Sequence, residues 1–168
     1  MESGTVTDAE RLLVRQWFEA GAHRFLLRIE TSNPGLYRQL HPADHSYEAR
    51  VECLKSLKKV GYQVGTGVMI GLPGQTVEDL ADDLLFFYDL DVDMIGMGPF
   101  IPHKDTPLGH LAPSFNPDEA IDMGLKMIAA CRIFLKDVNI ASTTALQALK
   151  DDGRELGLLA GANILMPN

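Results

Sequence analysis

The stretch "VGTGVMIGLPGQTVEDL", Val64 to Leu80, is the most informative about the fold because its hydrophobic period changes once along its length. The first part, Val64 to Leu72, is an apolar run interrupted by glycines, which is typical of a buried strand. Pro73 and Gly74 predict a turn. Thr76 then predicts a helix N-cap, with an acidic residue near the positive end of the helix dipole. A strand followed directly by a helix is the repeating unit of a parallel β/α fold.

The same alternation continues on both sides of this stretch, as short apolar runs and capped amphipathic runs. Further strands are expected at Phe25 to Ile29, Asp93 to Phe100, Asn139 to Ser142 and Asn163 to Met166. Four helices are expected: from Ser46 to Val60, from Thr76 onward, from Asn116 to about Leu135, and from Asp152 to Ala160. Ser46 and Thr76 are the predicted N-caps, and Gly61 is predicted to end the first of these helices. The buried stripe of the helix after Thr76 is predicted to comprise Val77, Leu80, Leu84, Phe87 and Tyr88. A turn is expected at Asn33 to Gly35 and a loop from Ile101 to Phe115.

This order predicts an α/β protein with a parallel sheet, either a barrel or a doubly wound sheet. In a parallel barrel, glycines within strands allow a ligand or a neighbouring backbone to come close. A doubly wound sheet usually carries G-x-G-x-x-G after its first strand. Here Gly65 and Gly67 are followed by Gly71, one residue too late, and all three lie inside the predicted strand. A dinucleotide site of that kind is therefore not expected.

The composition excludes several classes of protein. The chain has 168 residues and a formal net charge of -8, which argues against a nucleic-acid or anionic-membrane partner. No apolar run is long enough to cross a bilayer, and the polar stretch from Met1 to Glu10 does not resemble a signal peptide, so we expect a cytoplasmic location. Cys53 and Cys131 lie in amphipathic helical patterns, where core residues are expected rather than a disulfide or a metal pair.

Two opposite charges stand at the end of the first predicted strand. Arg28 and Glu30 are two residues apart, so their side chains face the same side of the strand. In β/α barrels, polar residues at the carboxyl ends of strands face the mouth of the active site. Thr143 and Thr144 follow the fourth strand, and Met94 on the third strand adds a thioether. The alternative interpretation is an ion pair that only fills the barrel, since burying two charges costs desolvation energy.

Other polar residues have simpler interpretations. His41 and His45 have a spacing that binds zinc on a helix, but Pro42 places them in a loop, so no metal is expected. His103 is interpreted either as a satisfied loop residue or as a residue that faces the cavity. A dense acidic run is expected to be a solvated helix face and turn, with a docking surface for a basic partner as the alternative; it comprises Glu78, Asp79, Asp82, Asp83, Asp89, Asp91 and Asp93.

Five stretches in order along the chain carry a resemblance to a known family. They are RFLLRIETSNPGLYRQLHP (24–42), GYQVGTGVMIGLPGQTVEDLADDLLF (61–86), DMIGMGPFIPHKDTPL (93–108), NIASTTALQAL (139–149) and GANILMPN (161–168). From about Asp8 to Asn168 the chain resembles the C-terminal two-thirds of a radical S-adenosylmethionine (SAM) enzyme. The resemblance is to the HydE-type maturases of iron-iron hydrogenases, which are related to biotin synthase. Biotin-synthase-like and methylornithine-synthase-like enzymes are the alternatives within this superfamily.

The resemblance implies a partial TIM-type (β/α) barrel with about five of eight β/α units, forming a single domain over residues 1–168. It also implies two cofactors, SAM and a 4Fe-4S cluster held by a Cys-x3-Cys-x2-Cys loop. Reductive cleavage of SAM at that cluster yields a 5'-deoxyadenosyl radical inside the barrel. The implied substrate is a small iron complex that carries cysteine, CO and cyanide.

The resemblance assigns roles to individual residues. Glu30 matches the family residue that meets the polar groups of SAM. Arg50 matches the arginine that binds the SAM carboxylate, for which a planar guanidinium is suited. Arg28 shares the strand end of Glu30 and is expected to steady the site. Thr143 and Thr144 match a hydroxyl pair that faces the substrate cavity. An apolar wall near the adenosine and the cavity is implied to contain Met94, Pro99 and Ile101.

The chain departs from the family because it lacks the Cys-x3-Cys-x2-Cys motif. We therefore expect a fragment without the N-terminal cluster-binding units, which by itself would neither bind the cluster nor cleave SAM. The expected partner is the missing N-terminal half; a non-catalytic remnant that binds a ligand through the barrel mouth is the alternative. Phe25 to Glu30 is expected to be an unpaired sheet edge, so the isolated chain is predicted to aggregate, or to pair with itself or with a missing half.

Overall fold

The computed structural model describes residues 8–167, which form a parallel sheet covered by helices. The helices are α1 (Asp8–Glu19), α2 (Pro34–Leu40), α3 (Tyr47–Val60), α4 (Val77–Asp89), α5 (Pro117–Leu135), α6 (Thr144–Leu149) and α7 (Gly153–Leu159). The strands are β1 (Arg24–Leu26), β2 (Gln63–Thr66), β3 (Met69–Ile70), β4 (Met94–Gly96), β5 (Gly98–Pro99), β6 (Asn139–Ser142) and β7 (Ile164–Leu165). A 3₁₀ helix at Gly109–Ser114 lies within the predicted loop.

The strands follow one another across the sheet in chain order. A five-stranded parallel sheet has the order β1-β2-β4-β6-β7, and β3 pairs with β5 in a separate parallel ladder. Each neighbouring pair in the main sheet is connected through at least one helix. Such consecutive order, without a point where the strand order reverses, is the topology of a β/α barrel rather than of a doubly wound sheet. The predicted α/β fold with a partial barrel is confirmed.

The sheet ends at β1 and at β7. Within residues 8–167, β1 is paired along one side only, in register with β2, so that Phe25 lies opposite Val64. Leu26 at this edge is 43% exposed. The predicted edge is therefore present, although the regular strand is shorter than the stretch from Phe25 to Ile29.

The helix ends follow the predicted capping residues. Ser46 caps α3, and Gly61 ends it with a φ of 108°, which favours glycine. Thr76 and Asp79 form a reciprocal capping box at the start of α4. The side chain of Asn116 caps α5. These side chains bind backbone N–H groups that have no partner within the first turn of the helix.

Two of the predicted strands are each divided in two. Val64 to Leu72 contains β2 and β3, and Asp93 to Phe100 contains β4 and β5. Gly67 lies at the first division, where a Cβ atom would overlap the backbone of Gly96. Only glycine permits this approach, so the division follows from the contact between β2 and β4 rather than from the local pattern.

The sequence patterns did not predict α1, α2 or α6. The α2 helix begins where a turn was predicted, because Pro34 occupies its first turn and Asn33 accepts hydrogen bonds from two of its N–H groups. The α6 helix begins directly after Thr143. Both are too short to show a clear apolar period, which explains why periodicity does not find them. The α1 helix begins within the polar stretch from Met1 to Glu10, for which no helix was predicted.

The buried face of α4 differs from its predicted stripe. Val77 is 74% exposed and Tyr88 is 63% exposed, whereas Phe87 is completely buried. Asp83 is also completely buried, so the predicted solvated acidic face is wrong at this residue. A hydrogen bond from outside the helix permits this burial, which helical periodicity cannot show.

The core lies between the outward face of the sheet and the helices. It combines strand residues such as Val64, Ile95 and Ile140 with helix residues such as Leu54 and Phe87. In the part of the chain that the structure describes, no helix is long and apolar enough to span a membrane. The carboxyl ends of β1 and β6 lie at the edge of this core, where the predicted polar residues stand.

Candidate functional site

Arg28 and Glu30 form an ion pair just beyond β1. Arg28 Nε lies 3.1 Å from Oε1 of Glu30, and Arg28 Nη2 lies 3.0 Å from Oε2. The same Nη2 donates to the carbonyl oxygen of Val68 at 2.8 Å. The side chains of Arg28 and Glu30 are 31% and 16% exposed. The pair is therefore held in place on the protein side and remains open to polar groups of a ligand.

The backbone of Glu30 is in the left-handed region. Its φ is 62°, which a residue other than glycine rarely adopts. The carbonyl oxygen of Gly67 accepts from the N–H groups of Ile29 at 3.1 Å and Glu30 at 3.0 Å. Two consecutive residues of one segment therefore lie opposite a single residue of the other. This local bulge directs the Glu30 side chain away from the regular strand. Such a conformation costs about 1 kcal/mol or more and is concentrated at ligand sites.

Arg50 reaches the same strand end from α3. Its Nη1 donates to the carbonyl oxygen of Arg28 at 2.8 Å. Its guanidinium carbon lies 5.9 Å from the centre of the Tyr37 ring, within the range of a cation–π contact. The structure therefore brings together the three charged residues that the sequence predicted for one site: Arg28, Glu30 and Arg50.

The turn that follows is held by side chains from two helices. Asp83 Oδ1 of α4 accepts from the Ser32 N–H at 2.7 Å. Asp79 Oδ1 accepts from the Asn33 side-chain amide at 2.8 Å. The Tyr47 hydroxyl of α3 donates to the Ser32 carbonyl oxygen at 2.9 Å. Sequence reasoning missed these contacts; the spacing of the two aspartates, one helical turn apart, was the only available signal.

The two aspartates that hold this turn differ in their acidity. Burial raises the pKa of Asp83 to about 6, hydrogen bonding to Ser32 opposes that rise, and neighbouring acidic residues add to it. The backbone N–H of Thr76 lowers the pKa of Asp79, and the Asn33 amide lowers it further. Asp79 is therefore a stable anion at neutral pH, whereas Asp83 lies near the point at which it accepts a proton.

The two threonines after β6 have different environments. Thr143 is 5% exposed, and its Oγ1 donates to the carbonyl oxygen of Met97 at 3.2 Å. A Cβ atom on Gly98 would lie 2.8 Å from this Oγ1. Thr144 is the first residue of α6 and is exposed. The structure places both threonines at the predicted strand end but does not bring their hydroxyls together.

The three predicted apolar residues are spread along the strands. Met94 lies in register with Gly65 and lines a cavity of about 430 Å³ at the amino ends of the strands. Pro99 lies in β5, and its ring faces Gly124 of α5. Ile101 is 37% exposed. Met94 and Pro99 are an odd number of residues apart, so they face opposite sides, and these residues do not form one wall near the ion pair.

The cysteines lie in the environments predicted for core residues. Cys131 is completely buried, with its Sγ 3.8 Å from Met97 Sδ, and burial raises its pKa to about 12. Cys53 on α3 is half-buried. Within the described side chains, no three His, Cys, Asp or Glu residues lie close enough to hold a metal ion together. Burial disfavours the thiolate of Cys131, and the two cysteines of the sequence are one fewer than a Cys-x3-Cys-x2-Cys loop needs, so they do not fit a 4Fe-4S cluster.

The histidines have local contacts. The His41 ring stacks on Tyr37 with 3.8 Å between centroids, and its Nδ1 lies 3.0 Å from the Tyr37 carbonyl oxygen. His45 Nδ1 lies 3.1 Å from Asp44 Oδ1. The His103 side chain is 67% exposed, on the loop after β5. This exposure favours the interpretation of His103 as a loop residue.

The sequence was also compared with known proteins. The model of the Radical SAM superfamily matches residues 2–87, which include the Arg28–Glu30 pair and most of α4. The chain is 52% identical over 153 residues to the [FeFe] hydrogenase maturase subunit HydE of Thermotoga maritima, covering 91% of the chain and 42% of HydE. It is 34% identical over 148 residues to the biotin synthase of Crocosphaera subtropica, covering 88% of the chain and 37% of that enzyme.

The fold also matches a solved structure. The crystal structure of methylornithine synthase (PylB) aligns with a TM-score of 0.78 and 30% sequence identity, covering 92% of the chain and 43% of that protein. The chain thus spans less than half the length of each of these relatives. The consecutive parallel strands agree with the family match over the residues that build β1 to α4. The chain belongs to the radical SAM superfamily.

Proposed function

We propose that this chain supplies the SAM-binding and substrate-cavity part of a HydE-type radical SAM enzyme, which matures the H-cluster of iron-iron hydrogenases. The observation that carries the proposal is the Arg28–Glu30 ion pair beyond β1, with Arg50 donating to the same strand. The 52% identity to HydE favours this type over the biotin-synthase-like and methylornithine-synthase-like alternatives. Residues 1–168 are proposed to act as one domain, a partial barrel.

The charged residues suit the polar end of SAM. Its carboxylate fits the planar donors of an arginine, and its amino group fits a carboxylate such as Glu30. Glu30 is paired with Arg28 and partly open to solvent, so a ligand can reach it without breaking the core. Beside a reduced 4Fe-4S cluster, SAM supplies a carbon radical. The residues of this chain would bind SAM, orient it and keep water away.

The remaining predicted residues are proposed to line the cavity. Thr143 is the residue whose place beside the site is best supported. It lies next to Gly98, which pairs with Met69. The N–H of Met69 in turn donates to the carbonyl oxygen of Glu30. Thr143 and Thr144 would contact a small iron-bound cysteine complex. Of the three apolar residues, Ile101 on the loop after β5 is proposed to lie near the adenosine, whereas Met94 and Pro99 face opposite sides of the sheet and are not proposed to share that wall.

The cluster would have to come from another polypeptide segment. A Cys-x3-Cys-x2-Cys loop needs three cysteines, and the whole sequence has two. We therefore propose that an N-terminal half supplies the cluster and that the chain alone does not cleave SAM. Anaerobic reconstitution of the chain with iron and sulfide is expected to give no 4Fe-4S absorbance. A stable cluster bound by the chain alone would contradict this part of the proposal.

The SAM site is tested by binding to a joined protein. The chain is fused to the N-terminal β/α units of Thermotoga maritima HydE, and SAM binding is measured by calorimetry. Glu30→Gln and Arg50→Met are each expected to weaken binding by about tenfold or more, since each removes a charged contact. Arg38→Met is the matched control, because Arg38 is 62% exposed and pairs with Glu48. Unchanged binding in both site variants would refute the assignment.

The same fusion discriminates the second candidate function. A non-catalytic remnant that binds a ligand through the barrel mouth is favoured by the shortage of cysteines in the sequence. If the fused protein assembles its cluster but does not cleave SAM under reducing conditions, the remnant is the better description. Cleavage of SAM to 5'-deoxyadenosine would support the enzyme part.

A further inference from the structure

Asp83 is the only buried charged side chain among those that the structure describes. It projects from the middle of α4 toward the turn after β1, where its Oδ1 accepts from the Ser32 N–H at 2.7 Å. Burying a carboxylate is costly unless a partner compensates. The identity of that partner therefore indicates what the side chain does.

Within the described side chains, no cation compensates Asp83. Asp83 interacts electrostatically with four titratable groups, and none of them is basic. They are Asp79 and Asp82 of the same helix, Tyr47 of α3 and Cys131 of α5. Among the described atoms, its Oδ2 is buried without a hydrogen-bond partner. The carboxylate is thus not half of a salt bridge, and its close contact is the backbone of the turn.

The turn that Asp83 holds begins at Glu30. Ser32 is fixed at both ends of its backbone, by Asp83 at the N–H and by the Tyr47 hydroxyl at the carbonyl oxygen. Thr31 N–H donates to the Ile29 carbonyl oxygen at 2.8 Å and closes the turn around Glu30. A residue with a positive φ keeps that conformation only if its surroundings hold it there. Anchoring Ser32 supplies such a constraint two residues from Glu30.

We propose that Asp83 is a positioning residue for this site: by anchoring the Ser32 backbone it sets the direction in which Glu30 presents its carboxylate to a ligand. Asp83 itself contacts no ligand. The ligand, SAM, rests on the function proposed above, whereas the effect on Glu30 does not. A carboxylate kept in the core without a cation is explained by this task, since an apolar core residue could not accept the Ser32 N–H.

The anchor is tested by nuclear magnetic resonance on the 168-residue chain. In the wild type, the Ser32 amide proton is expected to shift with pH around a midpoint near 6, following the proton on Asp83. Asp83→Asn keeps an acceptor oxygen but cannot titrate, so its Ser32 signal should not move. Asp82→Asn is the matched control, because Asp82 is exposed on the same helix and should leave the titration in place. A titration that survives in Asp83→Asn would overturn the proposal.

Positioning is tested by comparing Asp83→Leu with Asp83→Asn. The leucine variant loses the acceptor, so the Glu30 amide and the Arg28 Nε–H signals should move, and the amide exchange of residues 31–33 should accelerate by about tenfold or more. The asparagine variant should retain the wild-type pattern. If the Glu30 and Arg28 signals coincide in the two variants, Asp83 does not position the site.

SAM binding provides the functional readout in the fusion with the N-terminal β/α units of Thermotoga maritima HydE. If the wild-type fusion binds SAM, Asp83→Leu is expected to weaken binding by about tenfold, with rescue by Asp83→Asn to within about threefold. Equal affinity in the leucine and wild-type fusions would overturn the proposal. Failure of the wild type to bind SAM would count against the proposed function alone, because the Glu30 and Arg28 signals decide the positioning role independently.

Discussion

The carboxyl ends of β1 and β6 are both polar, but they hold their polar groups in opposite ways. Beyond β1, Arg28 and Glu30 are charged and partly exposed, and Glu30 has a left-handed backbone. After β6, Thr143 is neutral, buried and hydrogen-bonded to the Met97 carbonyl oxygen, with an extended backbone at φ -91°. The first arrangement reduces stability and leaves groups for a ligand, whereas the second stabilises the barrel and frames its cavity.

The two ends also differ in what supports them. The β1 end depends on side chains from other elements: Asp79 and Asp83 of α4, and Tyr47 of α3. The β6 end depends on contacts with the neighbouring β4–β5 backbone. A site that needs fixed charges requires long-range support, since charges alone do not determine a backbone conformation. Four sets of substitutions test this contrast, in order of decreasing expected effect.

Gly67→Ala should disturb the sheet between both ends. The added Cβ would overlap the Gly96 backbone, so the strands must separate. A loss of about 3 kcal/mol in the free energy of unfolding is expected, measured by urea denaturation. Gly96→Ala is the control, because its Cβ would meet Leu26 at an ordinary 3.9 Å. Equal losses in both variants would contradict the close approach.

Asp83→Asn should change how stability depends on pH. Burial raises the pKa of Asp83 from 3.8 to about 6, so the folded state binds this proton more tightly than the unfolded state. The stabilisation of the folded state by this proton is complete below about pH 4 and is lost as the pH rises through 6. Relative to wild type, the asparagine variant should therefore gain stability between pH 4 and pH 8, by up to roughly 3 kcal/mol. Thermal scans at several pH values measure this, and a constant difference would contradict it.

Thr143→Val and Thr144→Val should separate the two threonines at the β6 end. The Thr143 change leaves the Met97 carbonyl oxygen without its hydroxyl donor and should cost about 1 kcal/mol. The exposed Thr144 change should cost less than about 0.5 kcal/mol. Urea denaturation of both variants provides the comparison. Similar losses of stability in the two variants would mean that the two hydroxyls act as a pair, which would contradict their different environments in the structure.

Glu30→Gly and Glu30→Ala should measure the backbone strain at the β1 end. Both variants lose the ion pair with Arg28, but only glycine adopts a φ of 62° without steric cost. The glycine variant should be more stable than the alanine variant by about 1 kcal/mol. Urea denaturation is again the measurement. If the alanine variant is at least as stable as the glycine variant, the backbone of Glu30 is not strained.

Local chemistry accounts for the features that the sequence predicted well. Caps at Ser46, Thr76 and Asn116 act within a few residues, so their side chains marked the helix starts correctly. Arg28 and Glu30 are only two residues apart, so their contact is also local, although a left-handed backbone at Glu30 beyond the regular strand places the carboxylate. The short helices α2 and α6 were missed because a single turn or two carries too little periodicity.

The alternation of strands and helices, the family resemblance and the charged pair could be predicted from the sequence, because each depends on residues that are close together in the chain. Three features required the folded structure: the burial of Asp83, the hydrogen bond from Arg50 to the Arg28 carbonyl oxygen, and the hydrogen bond from Thr143 to a backbone partner. Each of these contacts joins residues that are far apart in the chain. Whether a polar group is satisfied depends on a partner brought to it by folding, which no local pattern contains.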